Sequence, residues 1–236
     1  MRPFSLGVTT LVQGIYALSV VIVLFDVASP TFNLDGIPDW TGTQLLVAII
    51  IMFTASVALG VVMHTISKGL FHPIKQTWAL DVTSSETVRS RLAALRSVET
   101  FPGGPTYNDI AVGERAIRVR KAAAFLHAVE YQLMTRAHHV FTTIQVYRDQ
   151  YRLARGFILP SVAFAILLPL WEPVKALDAS GAIGPFPIIR TQMFLLGILA
   201  ASVSFVAFRE RSYRYAAAKL LAFATVEGGR EKEGKS

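Results

Sequence analysis

Four apolar blocks constrain this chain more than any other feature: Val8–Phe25, Thr43–Met63, Phe157–Trp171 and Thr191–Phe208. None of them contains Asp, Glu, Lys or Arg. A helix needs roughly 20 apolar residues to cross a bilayer's hydrocarbon core, and each block approaches that length with its flanks. The pattern predicts an integral membrane protein with four spanning helices in two pairs. Composition agrees: 53% of the 236 residues are hydrophobic and 17% are charged, against about a quarter charged in soluble domains. The first block follows Arg2, as a signal peptide would, but its apolar run is long for one and Asp26-Val27-Ala28-Ser29 makes a poor cleavage site. It is read as a permanent first span. Pro160 and Pro169 lie in the third block, where neighbouring helices can satisfy the carbonyls that proline frees.

Charge position sets the orientation. The Ser29–Gly42 loop holds no Lys or Arg, whereas Ser67–Arg155 holds thirteen and the chain after Phe208 holds seven. Basic residues stay on the cytoplasmic side. The reading is therefore a multi-pass protein of the cell membrane, with both termini and the central region cytoplasmic. The two Pro/Gly-rich loops, Ser29–Gly42 and Glu172–Arg190, lie outside. Residues 1–66 carry the first span pair, 67–155 a cytoplasmic helical hairpin, 156–208 the second pair, and 209–236 an amphipathic helix with a disordered tail.

The hairpin region is patterned for helix. Thr83 and Glu86 have the spacing of a capping box, and Val88, Leu92, Leu95 and Val98 recur along the helix that it would open. Phe101–Pro105 ends that arm, and His72-Pro73 disfavours an unbroken helix before it. From Glu114 to Arg155 no proline or glycine intervenes. Leu126, Val129, Leu133, Ala137, Val140, Ile144, Tyr147 and Tyr151 recur at steps of three or four, which places them on one stripe. Beyond Leu133 the steps alternate as in a heptad seam, so a coiled coil is expected. The short arm covers only part of this stripe. The remainder needs a second subunit or the helix after Phe208, where Tyr213, Ala217, Leu220 and Ala224 share a side. A homo-oligomer is the expectation.

Few residues promise chemistry. The chain has no cysteine, which removes disulfides, thiolate metal sites and a cysteine nucleophile. No phosphate-binding loop, dinucleotide fingerprint, serine-hydrolase elbow or zinc-protease motif occurs. His127 and Glu130 share a helix, but in the reverse order of a diiron motif and without a second copy. No enzyme activity, cofactor or metal is expected.

Polar residues within spans are the informative ones. Gln13 and His64 are candidates for a pore lining or an interhelical contact. Ser56 with Gly60, and Gly197 with Ala201, are small-residue pairs that let helices approach closely. Arg115, Arg118, Arg120 and Lys121 form a basic cytoplasmic patch, and Arg209, Arg211, Arg214 and Lys219 suit anionic lipid at that face. No interleaved aromatics make a stacking platform, so no nucleic acid is expected. Two functions fit this architecture. The first is a homo-oligomeric channel or pore gated through the cytoplasmic helices. The second is a non-conducting membrane scaffold or regulatory subunit whose hairpin docks a cytoplasmic protein.

Overall fold

A computed structural model describes residues 3–28, 41–92, 106–170 and 186–233. Every regular element among them is helical. In chain order these are α1 (Pro3–Ala28), α2 (Gly42–Ser84), α3 (Glu86–Leu92), a 3-10 turn (Asn108–Ala111), α4 (Arg115–Arg136), α5 (His138–Leu170) and α6 (Phe186–Glu233). The two Pro/Gly loops, the Phe101–Pro105 turn, and Leu95 and Val98 of the short arm lie outside the described residues.

Among the described residues, one helix is long and apolar enough to cross a membrane: α2, 43 residues long. At 1.5 Å per residue it extends about 65 Å. Leu46, Ile49, Ile50, Ile51 and Phe53 are each more than half exposed. α1 has a shorter apolar stretch, Gly7–Val23. The apolar residues 191–208 lie inside α6, where Leu195, Leu196, Leu199, Val203 and Val206 are exposed.

Three boundaries differ from the sequence pattern. α2 runs unbroken through Pro73. A proline removes one N–H and frees the carbonyl four residues earlier, here Gly69, and a Cβ at exposed Gly69 would meet no neighbour within 4 Å. The capping box does not form, because Thr83 is still inside α2 and its hydroxyl donates back to the Leu80 carbonyl at 2.9 Å. The long arm is two helices rather than one. Ala137 leaves helical geometry at φ −136°, ψ 53°, although its N–H still reaches Leu133 O and its carbonyl accepts from the Phe141 N–H, both at 3.0 Å. At the other end of the chain, α6 continues to Glu233, well beyond Ala224 and into the tail expected to be disordered.

The Ala137 bend re-aims the buried face. Before it, Leu126, Val129, Leu133 and Ala137 are buried as the stripe predicts. After it, Phe141, Ile144, Arg148 and Tyr151 are buried, while Val140 and Tyr147 are half-buried. Ile144 and Tyr151 satisfy both registers. A continuous heptad seam is absent from this arm.

The chain divides into two compact units, each made of separated segments. The first comprises Met1–Gly69 with Arg152–Phe208, and the second Leu70–Tyr151 with Arg209–Ser236. In the first unit, small residues let helices touch backbone to backbone. A Cβ on Gly14 would overlap the Ser56 carbonyl, and one on Gly60 would overlap the Thr10 carbonyl, which fixes a close crossing of α1 and α2. A Cβ on Gly197 would lie 2.8 Å from the Ala165 Cβ, a second close crossing, of α5 and α6. In the second unit the core is conventional, built on Phe125, Leu133, Phe141, Tyr215 and Leu220, all nearly inaccessible. The Phe125 ring meets the Phe223 ring edge-on at 6.4 Å.

Candidate functional site: a buried ionic cluster in the second unit

Three helices of the second unit converge on Glu130. This residue sits on α4, one turn beyond the buried Leu126 and beside Val129, so helical spacing carries its carboxylate to the edge of the core. Lys219 of α6 donates to Glu130 Oε2 at 2.9 Å and points toward the Leu126 carbonyl at 3.4 Å. The Tyr215 hydroxyl, one turn earlier on α6, donates to Glu130 Oε1 at 2.9 Å. Arg148 of α5 places a guanidinium nitrogen 3.7 Å from the same oxygen. The side chains of Lys219 and Arg148 are only 6% and 5% exposed, so both charges are shielded from water.

A second ring of contacts surrounds this centre. Lys75 of α2 donates to the Tyr151 hydroxyl at 2.9 Å and lies 4.5 Å from the centre of that ring. Tyr151 and Tyr215 stack at a tilt, centroids 5.6 Å apart, and Lys219 lies 4.5 Å from the Tyr215 ring. Arg148 approaches the Phe141 ring at 5.8 Å. A cation above an aromatic face gains electrostatic attraction that grows as water is excluded.

Electrostatics follow the geometry. Burial opposes ionisation of Glu130, but the Lys219 ammonium and the donated hydrogen bonds overcome it and hold the carboxyl down to about 2. Burial likewise disfavours the Tyr215 phenolate, and the adjacent Glu130 charge adds to it, so the phenol remains a donor at every physiological pH. Such an arrangement is a polar clamp with one carboxylate shared among a lysine, an arginine and a tyrosine. It holds α4, α5 and α6 in register. Its carboxylate is saturated with donors, which suits it poorly to act as a general base. Among the described residues no three His, Asp or Glu side chains gather in a metal-binding group.

The residues singled out from sequence fall into separate places. Gln13 is fully buried, and its Nε2 donates to the Arg152 carbonyl of α5 at 2.6 Å. A Cβ on Gly156 would overlap the Gln13 side chain, so the two were fitted to one contact. Gln13 therefore holds α1 against α5. Close by, Tyr16 and Ser161 share a hydrogen bond at 2.8 Å, and the Tyr16 ring meets Phe157 edge-on. His64 is half-buried, and its carbonyl accepts from Ser67 Oγ at 3.2 Å. Ser56, Gly60 and Gly197 lie in the helix crossings described above, and Ala201 is buried.

The basic patch is split. Arg115 and Arg120 are exposed, whereas Arg118 Nε donates to the Ile110 carbonyl at 3.3 Å and Lys121 donates to the Val112 carbonyl at 3.3 Å. Lys219, which the sequence pattern places at the lipid-facing side, is instead a buried cation of the ionic cluster. Arg148 lies off the apolar stripe of the sequence and Tyr215 carries no signal of its own, yet both are buried. Only the i, i+4 spacing of Tyr215 and Lys219 on α6 pointed to a shared face. Comparisons with protein-family models, with curated proteins and with solved structures find no match to this chain.

Proposed function

We propose that this chain is a multi-pass membrane protein with four spans and cytoplasmic termini. It acts as a non-conducting scaffold or regulatory subunit whose cytoplasmic helical unit engages a protein partner. One observation carries this choice over a channel. The apolar stripe from Leu126 to Tyr151, whose unmatched part would call for a ring of subunits, meets the chain's own α6 at both ends: Phe223 packs on Phe125 beside Leu126, Tyr215 stacks on Tyr151, and Lys219 pairs with Glu130 between them. The small-residue faces point the same way, since Gly14, Ser56, Gly60 and Gly197 are used in crossings within one chain. Gln13, the deepest polar residue of the first span, is enclosed by α5. Neither feature calls for a second copy.

The exposed apolar surface of the first unit supports a lipid environment, because soluble monomers rarely expose contiguous apolar patches of this extent. On the second unit Arg115 and Arg120 stay exposed beside Val112 and Ile117. A basic rim around apolar residues suits an acidic protein surface.

Two measurements test the reading. Mass photometry of the purified chain in nanodiscs should give one copy per disc, and proteoliposomes should pass no ion current above empty vesicles. A ring of copies that conducts would overturn the proposal in favour of a pore. For orientation, a cysteine at exposed Thr41 should react with an impermeant thiol reagent from outside intact cells, and one at exposed Tyr131 should not.

A further inference from the structure

The second unit contains a cavity of about 330 Å3, away from the Glu130 cluster in its lining. The end of α2 supplies Leu80, Thr83 and Ser84, α3 supplies Arg89, and the 3-10 turn region supplies Tyr107, Asn108, Ile110 and Ala111. Arg118 of α4 closes it. Two arginines line this space, and among the described residues no Asp or Glu does. The acid within the turn is engaged elsewhere. The Asp109 carboxylate accepts from the Thr106 N–H at 2.8 Å and from the Thr106 hydroxyl at 2.7 Å.

One of the two cationic donors is held in place. Arg118 is oriented by its Nε bond to the Ile110 carbonyl, and its terminal amines make no hydrogen bond or ion pair among the described residues. Tyr107 bridges the wall, its hydroxyl donating to the Thr83 carbonyl at 2.7 Å, and its ring rests against Phe125 with centroids 6.0 Å apart. The hydroxyls of Thr83 and Ser84 are committed to the Leu80 carbonyl. Arg89 is exposed and has no ion-pair partner among the described residues. Leu80 and Ile110 supply a buried apolar wall.

From this geometry we infer that the cavity is a binding site for a small phosphomonoester with an apolar or aromatic body. Two guanidiniums match a dianionic phosphate better than a monoanionic carboxylate, because each fork can bind two of its oxygens. The size points beyond free phosphate, since ligand pockets begin at about 300 Å3. The Tyr107 ring and the Leu80–Ile110 wall would take the body, and Asn108 can serve as donor or acceptor to it. The phosphate could be carried by a soluble metabolite or by a lipid headgroup.

Phenyl phosphate is the minimal probe, with phenol and inorganic phosphate as controls. Calorimetric titration of the full chain in phosphatidylcholine nanodiscs should show saturable binding of phenyl phosphate, weaker binding of inorganic phosphate and none of phenol. Arg89→Gln, at an exposed position, should weaken phenyl phosphate by about tenfold or more. Arg118→Lys should weaken it too, while Arg115→Gln, outside the cavity, should leave it unchanged. If phosphatidic acid in the disc competes with the probe, the headgroup is the source of the phosphate; if it does not, the ligand is soluble. No binding of phenyl phosphate, binding that Arg89→Gln leaves intact, or equal binding of phenol would overturn the assignment.

Discussion

Replacing Glu130 by glutamine tests the ionic cluster most sharply. Glutamine keeps the size of the side chain and one carbonyl acceptor but removes the charge. Lys219 and Arg148, 6% and 5% exposed, would then be two buried cations without a counter-charge. Removing one partner of a buried pair costs about 3–5 kcal/mol, mostly the penalty of the charge left behind. Lys219→Met is the informative contrast. It deletes a cation together with its desolvation cost, and Arg148 remains 3.7 Å from the carboxylate. Its cost should be smaller, roughly 1.5–3 kcal/mol for the lost charged hydrogen bond. The double variant should recover part of the Glu130→Gln loss, because methionine removes one orphaned cation.

The assay is thermal unfolding of the full chain in detergent, followed by far-ultraviolet circular dichroism. At about 4 °C per kcal/mol for a unit of roughly 100 residues, Glu130→Gln should lower the transition of the second unit by about 12–20 °C. A shift within 2 °C of wild type, or a greater loss in Lys219→Met than in Glu130→Gln, would refute the argument. Acid adds an independent check. The folded-state pKa of Glu130 is depressed from its ordinary 4.5 to about 2, so its stabilisation is fully present above pH 4.5 and is lost as pH falls toward 2. By linkage that is on the order of 3 kcal/mol. Wild type should lose stability across this window, and Glu130→Gln should lose correspondingly less.

Other predictions follow from particular contacts. Gly60→Leu should force α1 from α2, since even a Cβ at Gly60 overlaps the Thr10 carbonyl, and the folded yield should drop several-fold by size-exclusion fluorescence. Ile144→Asp should cost on the order of 3 kcal/mol or more by burying a lone charge, and half-buried Val140→Asp less, as chemical denaturation would measure. Equal costs would contradict the shift in register after Ala137. Deleting residues after Phe208 removes Tyr215, Lys219, Leu220 and Phe223 from the second unit's core. That unit should become protease-sensitive in the truncated chain, whereas resistance like wild type's would mean that α6 is dispensable to its core.

The helical class, the apolar length of α2, and the buried stripe as far as Ala137 are legible in the amino-acid sequence. These are properties of local periodicity and composition, which a helix expresses wherever it is placed. Leu126, Val129 and Leu133 are apolar at helical spacing, so any fold that buries α4 buries that face. The tertiary structure alone decided what lies against it. Ala137 carries no breaking residue in its neighbourhood, yet the chain bends there and turns Phe141 and Arg148 inward in place of Val140 and Tyr147. On α6 the pattern proposed Tyr213, Ala217, Leu220 and Ala224 as the inner side. Leu220 is buried as expected, but the rest of the buried face is Ser212, Tyr215, Ala216, Lys219 and Phe223. The physical reason is that a lysine reads as solvent-facing until its counter-charge is known. Glu130 lies 89 residues away, and no local window contains both. Arg118 carries the same lesson, since its neighbours in sequence mark it as part of a basic patch, and only the tertiary structure bonds it to the Ile110 carbonyl and sets it in the wall of a cavity. Burial of an apolar face is encoded along one helix, whereas burial of a charge is a property of a pair.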